Sequence, residues 1–398
     1  MPTDRVLDVF VSLSMPSAHV RLAVVYLLMF MSVGISLPFF PQYYRSLGFT
    51  GPQVGALLAV GPLFAMVMPP FWGQLADRIG RPGRVLGLLT TGASLGFLAL
   101  WSTTAFWPVL FSLCLHAAFG TSMTTMIDTL ALRHVEKHGG AYASLRLWGS
   151  LGFVLASMGY GFSVDVIDHR AITAAVLCMS AACVWTWTTL ASAAAVHGEG
   201  PRPTFAEAHA LLRRKDVAVF LTASALHWVA CAPYNGTLSM HVTALGLPPW
   251  VVSASASVGV AAEVAVMFTW PRWGHRVAPR TLLIAAFLAS AARWAGMAIA
   301  TSPSALLALS AIHGLTFGAF YLASVAYMAQ AAPGSLRATG QSLYVAATFG
   351  IGGLAGYLGT GAWYDALGGH RLFGVAAIAA LLPALLLKLV NPPVTRPS

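Results

Sequence analysis

Charge is scarce in this sequence: only 9% of its 398 residues are Asp, Glu, Lys or Arg, and the acids number 12. Soluble domains carry about 25% charged residues, so a soluble enzyme is excluded. A nucleic-acid-binding module with a basic face is excluded too, and the net charge of +10 needs another explanation. Cysteine is also rare. Cys114, Cys178, Cys183 and Cys231 lie inside apolar runs without metal-type spacing and read as small buried thiols. There is no phosphate-binding loop to suggest ATP-driven pumping and no Gly-x-Ser-x-Gly elbow to suggest hydrolysis. His134 and His138 stand four apart, but no glutamate directly follows the first, as a zinc protease requires, so HVEKH reads as a solvated loop. No cofactor or metal is expected.

What is present is apolar: 58% of residues are hydrophobic and the mean hydropathy is +0.74. Polar and Pro/Gly-rich breaks cut the chain into apolar segments near 22–43, 53–75, 85–103, 108–131, 145–163, 171–195, 217–241, 250–270, 281–301, 304–328, 340–363 and 372–390. Each is about 19 residues or longer, enough to cross hydrocarbon as a helix. The expectation is an all-α membrane protein of twelve transmembrane helices in contact with the lipid bilayer. The first segment follows a leader carrying Asp4 and Asp8 and has no clear small-residue cleavage site, so it is expected to remain as a helix. Seventeen of the 22 basic residues fall at the termini and even-to-odd connections, against Arg45, Arg170 and Arg371 on the opposite ones. By the positive-inside rule both termini are cytoplasmic, and the positive charge reports topology. Trp101, Trp107, Trp250 and Trp363 near span ends read as an aromatic belt.

The longest polar stretch between segments, Gly198 to Asp216, divides the spans six and six. This gives an N-terminal bundle over 1–197, a cytoplasmic linker over 198–216 and a C-terminal bundle over 217–398. The halves echo one another: Ser144-Leu145-Arg146-x-x-Gly149 recurs as Ser335-Leu336-Arg337-x-x-Gly340, and Gly159-x-Gly161 as Gly350-x-Gly352, at a constant offset of 191 residues. Two pseudo-symmetric six-helix bundles are the usual build of a secondary transporter, with its substrate site at midplane between them.

Between spans two and three runs GQLADRIGRPGR, Gly73 to Arg84. It resembles the loop signature of the major facilitator superfamily, Gly-x-x-x-Asp-Arg-x-Gly-Arg, matched at Gly73, Asp77, Arg78, Gly80 and Arg81. Glycines permit close helix approach and a tight turn, and Asp77 can face a neighbouring helix N-terminus, so the segment reads as a gate latch. The equivalent second-half connection, WPRWGHRVAPR, lacks the aspartate. Stretches such as LPFFPQYYRSLGFTGPQVGAL, IDTLAL, SLRLWGSLGF and AIHGLTFGAFY look like the group holding lactose permease, phenylpropionate permeases and nucleoside-proton symporters. That resemblance covers essentially the whole chain.

Only four ionisable acids and bases fall mid-span: Asp128, Glu263, Arg146 and Arg293. An ionised group at a helix centre costs about 2.5–3.5 kcal/mol, so such residues usually face a cavity, pair and serve transport. Asp128 and Arg146, 18 residues apart on consecutive antiparallel helices, are expected side by side; the alternative is a packing salt bridge. The resemblance to lactose permease implies substrate recognition by this pair. Trp148 and Phe153 can offer an apolar plate for a ring, or serve core or lipid contacts. In the second half, Glu263, Arg293 and His313 on successive spans form a plausible proton relay, again as the resemblance implies. However, a second glutamate of the family pattern is replaced by Thr316 and a lysine by Ser310, leaving Glu263 or Asp128 to carry the proton. The expected function is proton-coupled symport of a small organic solute (aromatic carboxylate, sugar or nucleoside) by a monomer in a bacterial inner membrane. Proton-driven efflux of amphipathic compounds is the alternative, and a non-transporting receptor would need a longer tail than Val390–Ser398.

Overall fold

The computed structural model describes residues 17–139, 141–190, 205–332 and 336–389. Local chemistry sets the helix ends. Helix α1, Ala18–Ser46, starts where the Ser17 hydroxyl accepts the Val20 N–H. Helix α2, Gly51–Ile79, starts on a reciprocal cap between Thr50 and Gln53. It stops at Gly80, whose φ of 65° is a left-handed conformation that favours glycine, and Pro82 opens α3, Pro82–Trp101. There follow α4 (Phe106–His138, interrupted at 121–122), α5 (Tyr142–Ser163), α6 (Arg170–Thr189), a short helix Phe205–Leu212, α7 (Lys215–Ala244), α8 (Trp250–Trp273), α9 (Pro279–Met297) and α10 (Pro303–Ala331). The last apolar run, Thr339–Lys388, is 50 residues long and is broken at Gly368, with φ 67° and ψ 174°. The break gives α11 (337–367) and α12 (369–388).

The twelve expected spans are therefore present. Among the described residues, nine helical runs are long and apolar enough to cross a membrane. The break at Gly368 divides one of them, and α5 and α9, of 22 and 19 residues, complete the set. The expected solvated loop at HVEKH is instead the last turn of α4, with the His134 and His138 rings stacked. The first part of the expected linker, 198–204, lies outside the described residues, as does 191–197 before it. Trp101, Trp107 and Trp363 are exposed near helix ends, as a belt requires.

In the first bundle α1 packs on α5 and α6, and α3 on α4 and α6; in the second α7 and α9 pack on the α11–α12 run, and α8 on α10. The bundles meet through α1–α7, α2–α11 and α5–α8. Alternation of direction puts 46–51, 163–170, 244–250 and 367–369 at one end, which is closed. There Gly51 and Gly55 lie against Gly361 so closely that a Cβ on Gly361 would sit 2.5 Å from the Gly51 carbonyl oxygen. Gly161 seats the Ser253 side chain, and the Phe162 ring stacks on Trp250 at 5.9 Å. Asp365 accepts a hydrogen bond from the Gly51 N–H at 2.6 Å and pairs with Arg45 at 2.9 Å. Close glycine contacts extend to Gly350 against Met66, near the middle of α2. Toward the end that bears the termini, 123–138 and 337–345 pack within their own bundles. Neither segment is among the main contacts between the bundles, which leaves a cleft at this end.

Two of the helices lining the cleft depart from α-geometry. Gly314–Ala319 in α10 and Ala346–Gly352 in α11 are π-helical. Such wide turns inside helices collect at functional sites.

Candidate functional site

Asp128 follows the interruption in α4 and accepts a hydrogen bond from the Tyr26 hydroxyl of α1. Tyr142, at the start of α5, interacts with both. Arg146 lies one turn further along α5, with its guanidinium 4.3 Å from the centre of the Phe30 ring, an attractive cation–π arrangement. Gly149 makes room for it, since a Cβ there would stand 2.8 Å from Arg146 Nη1. Asp128 and Arg146 are both half-buried. The expected side-by-side pair does not form: among the described residues no ion pair joins them. The reason is α1, which packs on both α4 and α5 and supplies each charge with its own aromatic partner, Tyr26 and Phe30, one turn apart.

Across the cleft stands Glu263 of α8. It is half-buried and packs against Gly318, where a Cβ would lie 3.4 Å from the Glu263 Cα. The charged residue whose field reaches Glu263 is Arg146 of the other bundle. Tyr321, two turns beyond His313 on α10, lies within electrostatic reach of Asp128, Arg146 and Glu263. These four residues make one polar centre spanning both bundles.

The expected Glu263–Arg293–His313 relay is thus only partly assembled. Arg293 of α9 is 1% exposed and donates from Nη1 to His313 Nδ1 at 3.1 Å and to the Thr316 hydroxyl at 3.0 Å. Its guanidinium also lies over Tyr234 and Trp294, at 4.1 and 4.6 Å. Arginine only donates, so His313 Nδ1 accepts and this histidine is neutral here. Glu263 belongs to the other centre because the α8 residue facing His313 is Gly259, where a Cβ would lie 3.3 Å from the ring. Glu263 is one turn further toward the open end.

Trp148 stands apart from both centres. It is 42% exposed and, two residues from Arg146, occupies the opposite side of α5. Phe153 is buried, with its backbone against Gly34 of α1. The aromatic surfaces at the charges are instead Phe30, Phe317 and Tyr321, which sequence reasoning passed over together with Tyr26 and Tyr142. A signal existed: Tyr26, Phe30 and Gly34 recur every fourth residue in α1, as His313, Phe317 and Tyr321 do in α10.

At the latch, Gly73, Asp77 and Arg78 belong to the last turns of α2, Gly80 makes the turn and Arg81 precedes α3. Asp77 lines a cavity of about 480 Å³ with Trp72, Pro82, Ser122 and Arg133, between α2, α3 and α4.

The model of the MFS_1 like family, within the major facilitator superfamily, matches residues 19–375. The chain belongs to this family. It is 27% identical over 387 residues to a maltose permease of Geobacillus stearothermophilus, covering 91% of this chain and 92% of that one. It is 28% identical over 387 residues to a "Probable 3-phenylpropionic acid transporter" of Escherichia coli (strain K12), covering 92% and 96%. The crystal structure of the nucleoside transporter NupG superposes with a TM-score of 0.83 over 94% of this chain and 98% of that one, at 17% identity, which speaks to fold alone. This MFS_1-like protein is a multi-pass membrane transporter of small molecules and not an enzyme.

For an MFS_1-like transporter the position of Asp77 carries a specific expectation. Asp77→Asn should slow turnover about tenfold or more, a loss of 1.4 kcal/mol or more, and leave ligand affinity near wild type, because the Asp77 cavity is separate from both charged centres. Parallel uptake and binding titrations check this. Loss of binding in a well-folded variant would remove the gate role.

Proposed function

We propose that this transporter imports a small organic solute together with a proton by alternating access, the bundles 1–197 and 217–398 rocking about a site between them. The observation that carries the reading is the centre formed by Asp128, Arg146, Glu263 and Tyr321. It joins acids and a base from opposed bundles in a cleft sealed at one end by the α2–α11 and α5–α8 contacts. Groups of this kind inside a membrane cost free energy unless they work on ions or substrate. Asp128 and Arg146 take the role of recognising the solute, and Glu263 that of carrying the proton. Maltose, 3-phenylpropionic acid and nucleosides, named for relatives, represent the three solute classes in view.

With the termini cytoplasmic, as the basic residues suggest, the open cleft faces inward and the Arg45–Asp365 pair closes the outer side of a bacterial inner membrane. Arg170→Cys and Arg371→Cys should then react with an impermeant thiol reagent on whole cells, and Arg81→Cys and Arg276→Cys only after permeabilisation. External labelling at Arg276→Cys would reverse the orientation.

Coupling is tested with the wild-type protein in vesicles. An imposed inward proton gradient should drive accumulation of a bound solute, and a protonophore should abolish it. Accumulation indifferent to the gradient would replace symport by facilitated diffusion or another ion.

A further inference from the structure

A cation enclosed in a membrane protein is normally met by an anion. Arg293 is enclosed and, among the described residues, has no carboxylate partner. The groups that touch it are neutral or aromatic: Tyr234 and Cys231 from α7, Trp294 on its own helix, His313 and Thr316 from α10. Glu263 and Asp128 act on the other centre. The two mid-span acids and two mid-span bases therefore balance in number without pairing one to one, and among the described residues Arg293 has no acid beside it.

The hydrogen bonds of Arg293 narrow the chemistry. Nη1 is fully engaged, by His313 and Thr316. Nε and Nη2, which share the other edge of the planar group, have no hydrogen-bond partner. Two parallel N–H groups on one edge of a guanidinium match the two oxygens of a carboxylate, the bidentate arrangement in which arginine binds most strongly. The stack on Tyr234 and the bonds to His313 and Thr316 hold the plane in place, so little entropy is lost on binding. A narrow crevice with room for about one water adjoins Arg293; Trp228, Asn235 and Phe317 line it and are only partly buried, so a ligand must part these aromatic side chains to reach the guanidinium. Trp228 and Phe317 lie 5.7 Å apart, and Phe317 leads to Tyr321 at 6.1 Å and so to the cleft. The wall is aromatic from the cleft to the arginine, and the π-helical turn 314–319 that carries Thr316 and Phe317 supplies the local freedom for a ligand to reach it.

We propose that Arg293 is the binding site for the carboxylate of a monoanionic aromatic substrate, whose ring lies against Trp228 and Phe317, so that the missing counter-charge arrives with the cargo. This rests on the transporter reading above and selects among its solute classes. It also moves Arg293 from a proton relay to recognition.

The test is equilibrium binding to the purified full-length protein, with no gradient imposed. Wild-type protein should bind 3-phenylpropionate about 10- to 100-fold more tightly than 3-phenylpropanamide, the same shape without the charge. Arg293→Gln should bring the two affinities within about twofold. Thr316→Glu places a resident carboxylate beside the guanidinium; it should raise the melting temperature of the ligand-free protein and abolish 3-phenylpropionate binding. Equal binding of acid and amide by the wild type would overturn the proposal. So would an undiminished preference for the acid in Arg293→Gln, or failure of 3-phenylpropionate and benzoate to bind at all. If Arg293→Gln does not fold, the wild-type comparison and Thr316→Glu still decide. Because binding is read without a gradient, charge-selective binding without proton-driven accumulation would reject symport and keep this site. Accumulation of a neutral solute with no binding of the acids would do the reverse.

Discussion

Glu263→Gln should retain solute binding and exchange between equal pools while losing uphill accumulation. A gradient of one pH unit is worth about 1.4 kcal/mol per proton, so one-to-one coupling allows about tenfold accumulation, which the variant should reduce to none. Glu263 stands on the second bundle with the Arg146 field reaching it across the cleft. Ionised, it is attracted to that arginine; protonated, it is not, and the bundles are free to change their separation. Glutamine fixes the second condition, so the cycle runs without a proton to release. Vesicle uptake with and without an imposed gradient reads the difference. Wild-type accumulation by Glu263→Gln would remove Glu263 as the coupling group. His313 is a poor substitute, because its Nδ1 is committed to accepting from Arg293.

The second large effect is expected at Asp128 and Arg146. Asp128→Asn replaces a charged acceptor of the Tyr26 hydroxyl by a neutral one, and Arg146→Gln removes the cation from the Phe30 ring. Hydrogen bonds to charged groups are worth about 1.5–3 kcal/mol, so each change should weaken solute binding by about 10- to 100-fold. Had the two formed a buried ion pair, the double variant would recover the stability lost in either single one. Held by separate aromatic residues of α1 but sharing Tyr142 and Tyr321 as neighbours, they should instead show partial coupling, with the double variant less stable than either single one. Thermal melts of the two singles and the double separate these outcomes. Normal transport by both single variants would place recognition elsewhere.

The helices, the fold class and the presence of four mid-span charges were legible in the sequence. Twenty apolar residues in a row have one stable solution in lipid, and a charge inside such a run is conspicuous. Which charges meet was not legible. Adjacent helices in sequence suggested that Asp128 would meet Arg146, yet α1, distant in sequence, supplies each with a partner of its own. Helical periodicity could have removed Trp148 from the site, since it lies on the far side of α5 from Arg146. The π-turns at 314–319 and 346–352 were invisible, because an extra residue in a turn leaves composition unchanged while shifting every later side chain around the helix. The isolation of Arg293 depends on what is absent around it in three dimensions, which one chain read in order does not display.

The joint at the closed end has a mechanical consequence. Where Gly51 and Gly55 meet Gly361, backbone rests on backbone, with the Asp365 carboxylate bonded across the joint to the Gly51 N–H, so the surfaces can part and rejoin with little rotamer change. The Arg45–Asp365 pair beside it is about one-third exposed on each side, which makes it weak and sensitive to salt. Such a seam resists sideways slip very little and resists swelling strongly. Any residue with a side chain at these three positions acts as a wedge, always in the same direction, and on the import reading proposed above a protein wedged there would pick up its cargo and never deliver it.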